Sequence, residues 1–187
     1  MYTKNGPRWQ ITETDGPTVI HFALWARTVL GMHPSADLPT IPDQLHSEAV
    51  HVGDVESLDR EWKSWWRSLP QAMDEWPVNV ATLSYAGLAA AIEPIQATIH
   101  DSISRWRDTY RDTHTTPPAA PYLDIVTDRA ATLGRPVNPF SLKVVLIPAT
   151  QPRIWQAAPD LLLVDTTLRD DATAYKHAIS AHITTRG

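Results

Sequence analysis

The chain contains no cysteine. Without cysteine there can be no disulfide bond, no thiol nucleophile and no thiolate metal site. The sequence also lacks the G-x-x-x-x-G-K-[ST] phosphate loop, the H-E-x-x-H zinc motif and the G-x-S-x-G nucleophile elbow. No motif therefore names a reaction, so enzyme activity is left open and no cofactor is predicted.

The chain also has fewer basic than acidic residues. It contains 16 Lys and Arg residues and 21 Asp and Glu residues, which gives a net charge of −5. General binding to nucleic acid or to an anionic membrane requires a basic surface, so neither is predicted. The longest apolar stretch, 19–30, is interrupted by His21 and Arg27 and is too short to span a bilayer. The N-terminus lacks the apolar run of a signal peptide. These features indicate a soluble, cytoplasmic protein.

The composition is that of a folded protein, with 43% apolar and 20% charged residues in a chain of 187. We expect an α+β fold, with a predominantly helical body and a small C-terminal sheet of at least two buried strands. A mainly helical part would cover 1–114, a Pro-rich linker 115–121 and an α/β part 122–187, with both parts packed as one compact unit. Oligomeric state is left open.

Three helices are predicted in the first part, after an irregular or β-like lead-in over 1–16. Pro17 and Gly31 bracket a helix over 17–31, although the Asp15-Gly16 pair also suits a β-hairpin. Asp54 can cap a second helix that runs to Leu69. A third, over 84–113, should be kinked or divided at Pro94, which lacks the N–H group and crowds the preceding turn.

The second part alternates helices and strands. A helix over 122–133 should stop at Gly134, and a last helix is expected over 170–184. Continuous apolar runs at 142–147 and 161–164 predict strands covered on both faces. The sequence leaves open whether these two strands are parallel, since their connection permits a short crossover.

Four of the eight tryptophans lie close together, at Trp62, Trp65, Trp66 and Trp76. On the second helix, Trp62 and Trp65 share an apolar stripe, which predicts that both are buried. Trp66 lies about 100° around the helix from Trp65, and Trp76 lies beyond the break at Pro70. We therefore predict that Trp66 and Trp76, with Arg67, form a partner-binding surface.

An acidic segment follows the last apolar run, with Asp165 at its end and Asp170 and Asp171 beyond it. An acid just past a buried strand can bind Mg²⁺ or accept a phosphoryl group. The string 159–165 resembles the phosphoacceptor strand of response-regulator receivers, and also a Walker B strand. Receivers need an early strand that ends in an acidic pair, whereas the preceding run here ends in Leu146-Ile-Pro148. The alternative interpretation is that these aspartates cap helices.

A metal site could also be built from His33, His46 and His51, which lie in a segment rich in carboxylates. Imidazole and carboxylate groups are suitable ligands for Zn²⁺. With Asp165 and Asp170, these histidines are the candidate metal ligands of the chain.

Two functions follow as hypotheses. The first is a non-catalytic interaction module, such as an adaptor, assembly factor or regulator, that binds another protein through a Trp-rich helical surface. The alternative is a small metal-dependent hydrolase or phosphotransferase that uses the acidic or histidine residues. A ligand-binding module would lie between the two and would show a concave pocket lined by tryptophan.

Overall fold

The computed structural model describes residues 9–32, 37–45, 54–71, 76–114 and 119–185. The chain divides into two compact units. The sheet unit comprises Met1–Thr14, Thr116–Ile147 and Pro152–Gly187, and the helical unit comprises Asp15–Thr115 and Pro148–Gln151. The N-terminal strand thus belongs to the same unit as the C-terminal residues. The Pro-rich linker over 115–121 and the packing of both parts as one compact unit stay predictions.

The helical unit is built around a helix that is almost entirely buried. This helix, α1, packs against α2 and α4, and every one of its residues except Thr28 is buried. A helix that is apolar all round requires neighbours on all sides, which explains its central position. The α-helices in the described residues of this unit are α1 (Val19–Val29), α2 (Val55–Ser68), α3 (Ala86–Ile92) and α4 (Gln96–Thr113).

Local signals set the ends of these helices as predicted. The Asp54 carboxylate accepts a hydrogen bond from the backbone N–H of Ser57 at 3.0 Å and caps α2. Pro94 lies in a 3₁₀ turn, Glu93–Ile95, that separates α3 from α4. The predicted helix over 17–31 is confirmed as α1, so the hairpin alternative at Asp15-Gly16 is not the one adopted.

The sheet unit contains a four-stranded mixed sheet in the order β1-β2-β4-β3. Strands β1, β2 and β4 are parallel, whereas β3 pairs with β4 in the antiparallel sense. All of β4 is buried, as the continuous apolar run predicts. The elements are β1 (Trp9–Thr14), α5 (Tyr122–Leu133), β2 (Phe140–Ile147), β3 (Ile154–Ala158), β4 (Leu161–Asp165), α6 (Thr166–Asp170) and α7 (Ala172–Thr184).

The expected fold class, α+β with a helical body and buried C-terminal strands, is confirmed. The β-like alternative for the lead-in is confirmed, because β1 pairs with β2 from Trp9↔Phe140 to Thr14↔Val145. The expected last helix is α7. Two elements were not expected: β3, in the turn-rich connection between β2 and β4, and the short helix α6, which precedes α7. Helix α5 ends as predicted at Gly134, which adopts φ 63°.

None of the helices in the described ranges is long and apolar enough to cross a membrane.

Candidate functional site

Trp62 is an anchored member of the tryptophan cluster. Its side chain is 1% exposed, and its Nε1–H donates a hydrogen bond to the backbone carbonyl of Ala23 at 2.8 Å. The Arg27 guanidinium lies 5.1 Å from the centre of the same indole, within the range of a cation–π contact. Trp65 is buried as well, with its ring edge-on to Phe22 at 6.4 Å. Both predictions of burial are confirmed.

Trp66 is half-buried, and its ring stacks on that of Trp62. The two ring centres are 5.1 Å apart and the planes are inclined by 18°. Stacked indoles attract each other beyond the apolar area that they bury. Because Trp62 is held by Ala23 and Arg27, Trp66 rests on a fixed support and still presents part of its surface to solvent.

Arg67 is exposed and lies on the side of α2 that also carries Arg60 and Lys63; we call these three residues the α2 basic edge. At 100° per residue, these three positions follow Trp66 around the helix, away from the buried stripe. Helix geometry places Glu56 and Asp59 on the same side as the basic residues. Lys63 forms an ion pair with Asp59 at 2.5 Å. Within the described part of the chain, the Arg60 Nε–H reaches a backbone carbonyl of its own helix, that of Glu56, at 3.4 Å.

Trp76 is half-buried in a different setting. Its ring lies 4.8 Å from that of His100, which in turn lies 5.0 Å from Phe22. Desolvation lowers the pKa of His100, although the charge of Asp101 opposes the shift, so the imidazole is neutral at pH 7. Among the described ring contacts none joins Trp66 to Trp76. Trp66 thus lies against Trp62 of α2 and Trp76 against His100 of α4, and a single partner-binding surface made of Trp66, Trp76 and Arg67 stays a prediction.

The acidic candidates lie at helix termini. Asp165 is 1% exposed, and its carboxylate accepts hydrogen bonds from the backbone N–H of Leu168 at 3.2 Å and from the Thr167 hydroxyl. It caps α6, whereas Asp171 caps α7 through the N–H groups of Thr173 and Ala174. Asp170 is the half-buried last residue of α6. The helix-capping interpretation thus describes Asp165 and Asp171.

The histidine candidates His33, His46 and His51 lie outside the described residues. Within the described ranges, no group of three or more His, Asp or Glu side chains is placed to hold a metal ion. The metal-dependent alternative stays a prediction from the sequence.

A polar network in the sheet unit was not foreseen. Glu13 on β1 accepts hydrogen bonds from the Arg169 Nε–H at 2.9 and 3.0 Å and from the Tyr175 hydroxyl at 3.1 Å. The Tyr122 hydroxyl also donates to Glu13, and the two tyrosine oxygens are 2.6 Å apart. The Arg169 guanidinium lies 5.0 Å from the centre of the Tyr175 ring. One carboxylate thus connects β1 to α5, α6 and α7.

Burial is the largest cause that raises the pKa of both tyrosines, with the negative charge of Glu13 adding to it. Both hydroxyls therefore stay protonated at neutral pH and act as hydrogen-bond donors, which suits a structural network better than proton abstraction. The four residues are scattered between positions 13 and 175, so no local motif in the sequence could reveal the network.

The comparisons with known proteins add no assignment. No protein-family model matches the chain, and no curated protein or solved structure gives a significant match.

Proposed function

We propose that the protein is a non-catalytic interaction module, an adaptor, assembly factor or regulator, that binds another protein through α2. The observation that carries this proposal is the half-buried Trp66 ring stacked on the anchored Trp62 ring. Arg67 and the rest of the α2 basic edge would border the contact.

The energetics of protein interfaces support a tryptophan in this setting. Binding energy concentrates in a few residues, among which Trp and Arg are enriched. A side chain that is already fixed before binding loses less conformational entropy when the partner arrives. Trp66 meets that condition, because the indole beneath it is held by a hydrogen bond to Ala23 and a cation–π contact with Arg27.

Charge indicates what kind of partner surface would fit. The chain as a whole is acidic, with a net charge of −5, whereas the side of α2 next to Trp66 has a small excess of positive charge, because Arg60, Lys63 and Arg67 share it with Glu56 and Asp59. Complementary charge around an interface speeds association and rejects wrong partners. We therefore propose a partner with an apolar pocket bordered by Asp and Glu residues. Trp76, whose ring lies against His100, would act as a further contact in the same helical unit.

The test is quantitative capture of proteins on the immobilised chain, in parallel with its Trp66→Ala and Arg67→Glu variants. A partner identified in this way would then be purified, and its affinity for each variant measured by calorimetry. Loss of the Trp66 ring should weaken binding roughly 30-fold or more, as expected for a hot-spot residue. Reversal of the charge at Arg67 should slow association at low salt and have less effect at high salt.

Arg135→Glu is the matched control for charge, because Arg135 is exposed and lies in the sheet unit. It changes the net charge as Arg67→Glu does and should leave binding unaltered. The proposal fails if no captured protein depends on Trp66. It also fails if Trp66→Ala lowers the melting temperature without changing the affinity.

A further inference from the structure

A groove in the helical unit lies along α4, apart from the residues of the α2 basic edge. It has a volume of about 520 Å³ and is lined by α4 on one side and by the 3₁₀ turn Asp43–Leu45 on the other. Small-molecule sites in proteins have volumes of roughly 300–1,000 Å³. The size of the groove thus suits a small ligand.

Aromatic side chains form one wall of this groove. Trp106 is 7% exposed and is packed against Trp25 and His21, with ring centres 5.8 and 5.1 Å away. Tyr110, one turn further along α4, stacks on Trp106 with the ring centres 6.2 Å apart and the planes inclined by 21°. The His114 ring lies 4.3 Å from that of Tyr110, so a flat ring in the groove would contact the accessible parts of Trp106 and Tyr110 that line it.

The opposite wall is fixed to the same aromatic group. The Trp25 Nε1–H donates a hydrogen bond to the backbone carbonyl of Leu45 at 3.2 Å, so the turn that carries Gln44 and Leu45 is tied to α1. Gln44 is exposed and contributes an amide to the lining. Because both walls are held from behind, the groove does not need to be formed by the ligand.

Arg105 supplies the charge at the groove. Its Nε–H reaches the Asp101 backbone carbonyl and its Nη2 reaches the Ser102 hydroxyl, both at 3.4 Å, which is long for a hydrogen bond. Among the residues that the structure describes, no carboxylate forms an ion pair with Arg105. A guanidinium with such weak contacts can turn its donors towards a planar oxyanion, for which its geometry is well suited.

We propose that this groove is a binding site for a small anionic aromatic molecule. Its ring would pack against Trp106 and Tyr110, and its oxyanion would accept hydrogen bonds from Arg105. The site is distinct from Trp66 and its surroundings, so either proposal can fail without the other.

The experiment uses two probes that share a ring system and differ in charge, 2-naphthoate and the neutral 2-naphthalenemethanol. Each is titrated into the full chain and followed by NMR. Naphthoate should bind with saturation and at least about tenfold more tightly than the alcohol, because hydrogen bonds to charged groups are the stronger ones. Arg105→Gln should remove this preference while leaving the binding of the alcohol unchanged.

Two further variants complete the test. Arg107→Gln is the matched control, because Arg107 lies on the same helix, pairs with Asp108 at 2.7 Å and does not line the groove. It should keep the preference for naphthoate. Thr109→Trp places a large ring in the groove lining and should abolish the binding of both probes.

The proposal is overturned if neither probe binds with saturation, if both bind equally, or if Arg105→Gln keeps the preference for naphthoate. Binding of both probes to a folded Thr109→Trp variant would likewise contradict it. If that variant does not fold, the comparison of Arg105→Gln with Arg107→Gln decides the question, since neither change alters the buried core.

Discussion

Arg27 in the helical unit and Arg169 in the sheet unit are both buried, with 2% and 3% of the residue exposed, yet their surroundings are opposite. Arg169 lies against the carboxylate of Glu13, at 2.9 Å. Arg27 donates to the backbone carbonyl of Pro39 and lies over the Trp62 ring, and its Nη1 has no hydrogen-bond partner among the described residues. Both cations lie over an aromatic ring, but Arg169 also has a counter-charge in contact, whereas the described polar contact of Arg27 is with a backbone carbonyl.

The pKa values reflect this difference. Burial lowers the pKa of both guanidinium groups, but at Arg169 the charge and hydrogen bonds of Glu13 outweigh burial, so the pKa is raised. At Arg27 desolvation dominates and lowers the pKa to about 10, with the charge of Asp59 offsetting only part of it. Both side chains remain charged at pH 7. The comparison shows that the two units stabilise a buried cation by different means.

The largest effect is expected from Arg169→Met. The substitution removes the positive charge that pairs with Glu13. Removing one partner of a buried ion pair is strongly destabilising, because the other charge is left without a partner. Since Glu13 is partly exposed and keeps its tyrosine donors, we expect the free energy of unfolding to fall by about 3 kcal/mol, measured by urea denaturation. The double variant Glu13→Gln with Arg169→Met should recover part of this loss, because neither charge is then buried alone. If the free energy of unfolding of Arg169→Met were unchanged, the ion pair with Glu13 would not distinguish Arg169 from Arg27.

Tyr175→Phe should have a smaller effect at neutral pH, a loss of about 1 kcal/mol, because it removes one hydroxyl donor to Glu13. Measurements at alkaline pH test the role of Tyr175 more specifically. The pKa of Tyr175 is raised in the folded state, so unfolded chains release this proton first and the stability that it contributes falls as pH rises above 10. The variant should therefore lose less stability than the wild type between pH 9 and about 11. Equal slopes in the two proteins would contradict this account.

Arg27→Met should change stability least, by less than about 1 kcal/mol, because the loss of one hydrogen bond is offset by removal of a desolvated charge. The contribution of Arg27 to stability changes with pH in the direction opposite to that of Tyr175. The pKa of Arg27 is lowered in the folded state, so unfolded chains hold more protons above pH 10 and its contribution to stability rises with pH there. Without Arg27, the alkaline loss of stability should become steeper. A loss as large as that of Arg169→Met would show that Arg27 is also paired.

The sequence predicts the elements whose signals are local. Asp54, Pro94 and Gly134 mark helix ends through capping and backbone chemistry, and apolar runs mark β2 and β4. Helical periodicity also separates the buried Trp62 and Trp65 from Trp66. In each of these cases, the residues that determine the structure lie within a few positions of one another.

The rest depends on residues far apart in the chain. Strand β1 alternates polar and apolar residues weakly, and its partner β2 begins only at Phe140. The pair Glu13 and Arg169 has no spacing that a motif could register. The groove beside Trp106 needs the turn at Leu45, which tertiary packing alone brings to α4. The metal hypothesis for His33, His46 and His51 falls outside the described residues.

The pairing of β1 with β2 has a consequence for how the protein is made. In the order of synthesis, β1 precedes α1 to α5, and its partner strand β2 follows them. Contacts between distant parts of a chain form slowly, because the intervening loop must close first. During synthesis the helices of residues 15–115 can thus pack around α1 before β2 is made, and until then the backbone groups of β1 lack their partner strand. A circular permutation that joins the two ends and opens the chain before α5 would place β1 after α7. The interval between β2 and β1 would then be shorter, so the sheet should refold faster.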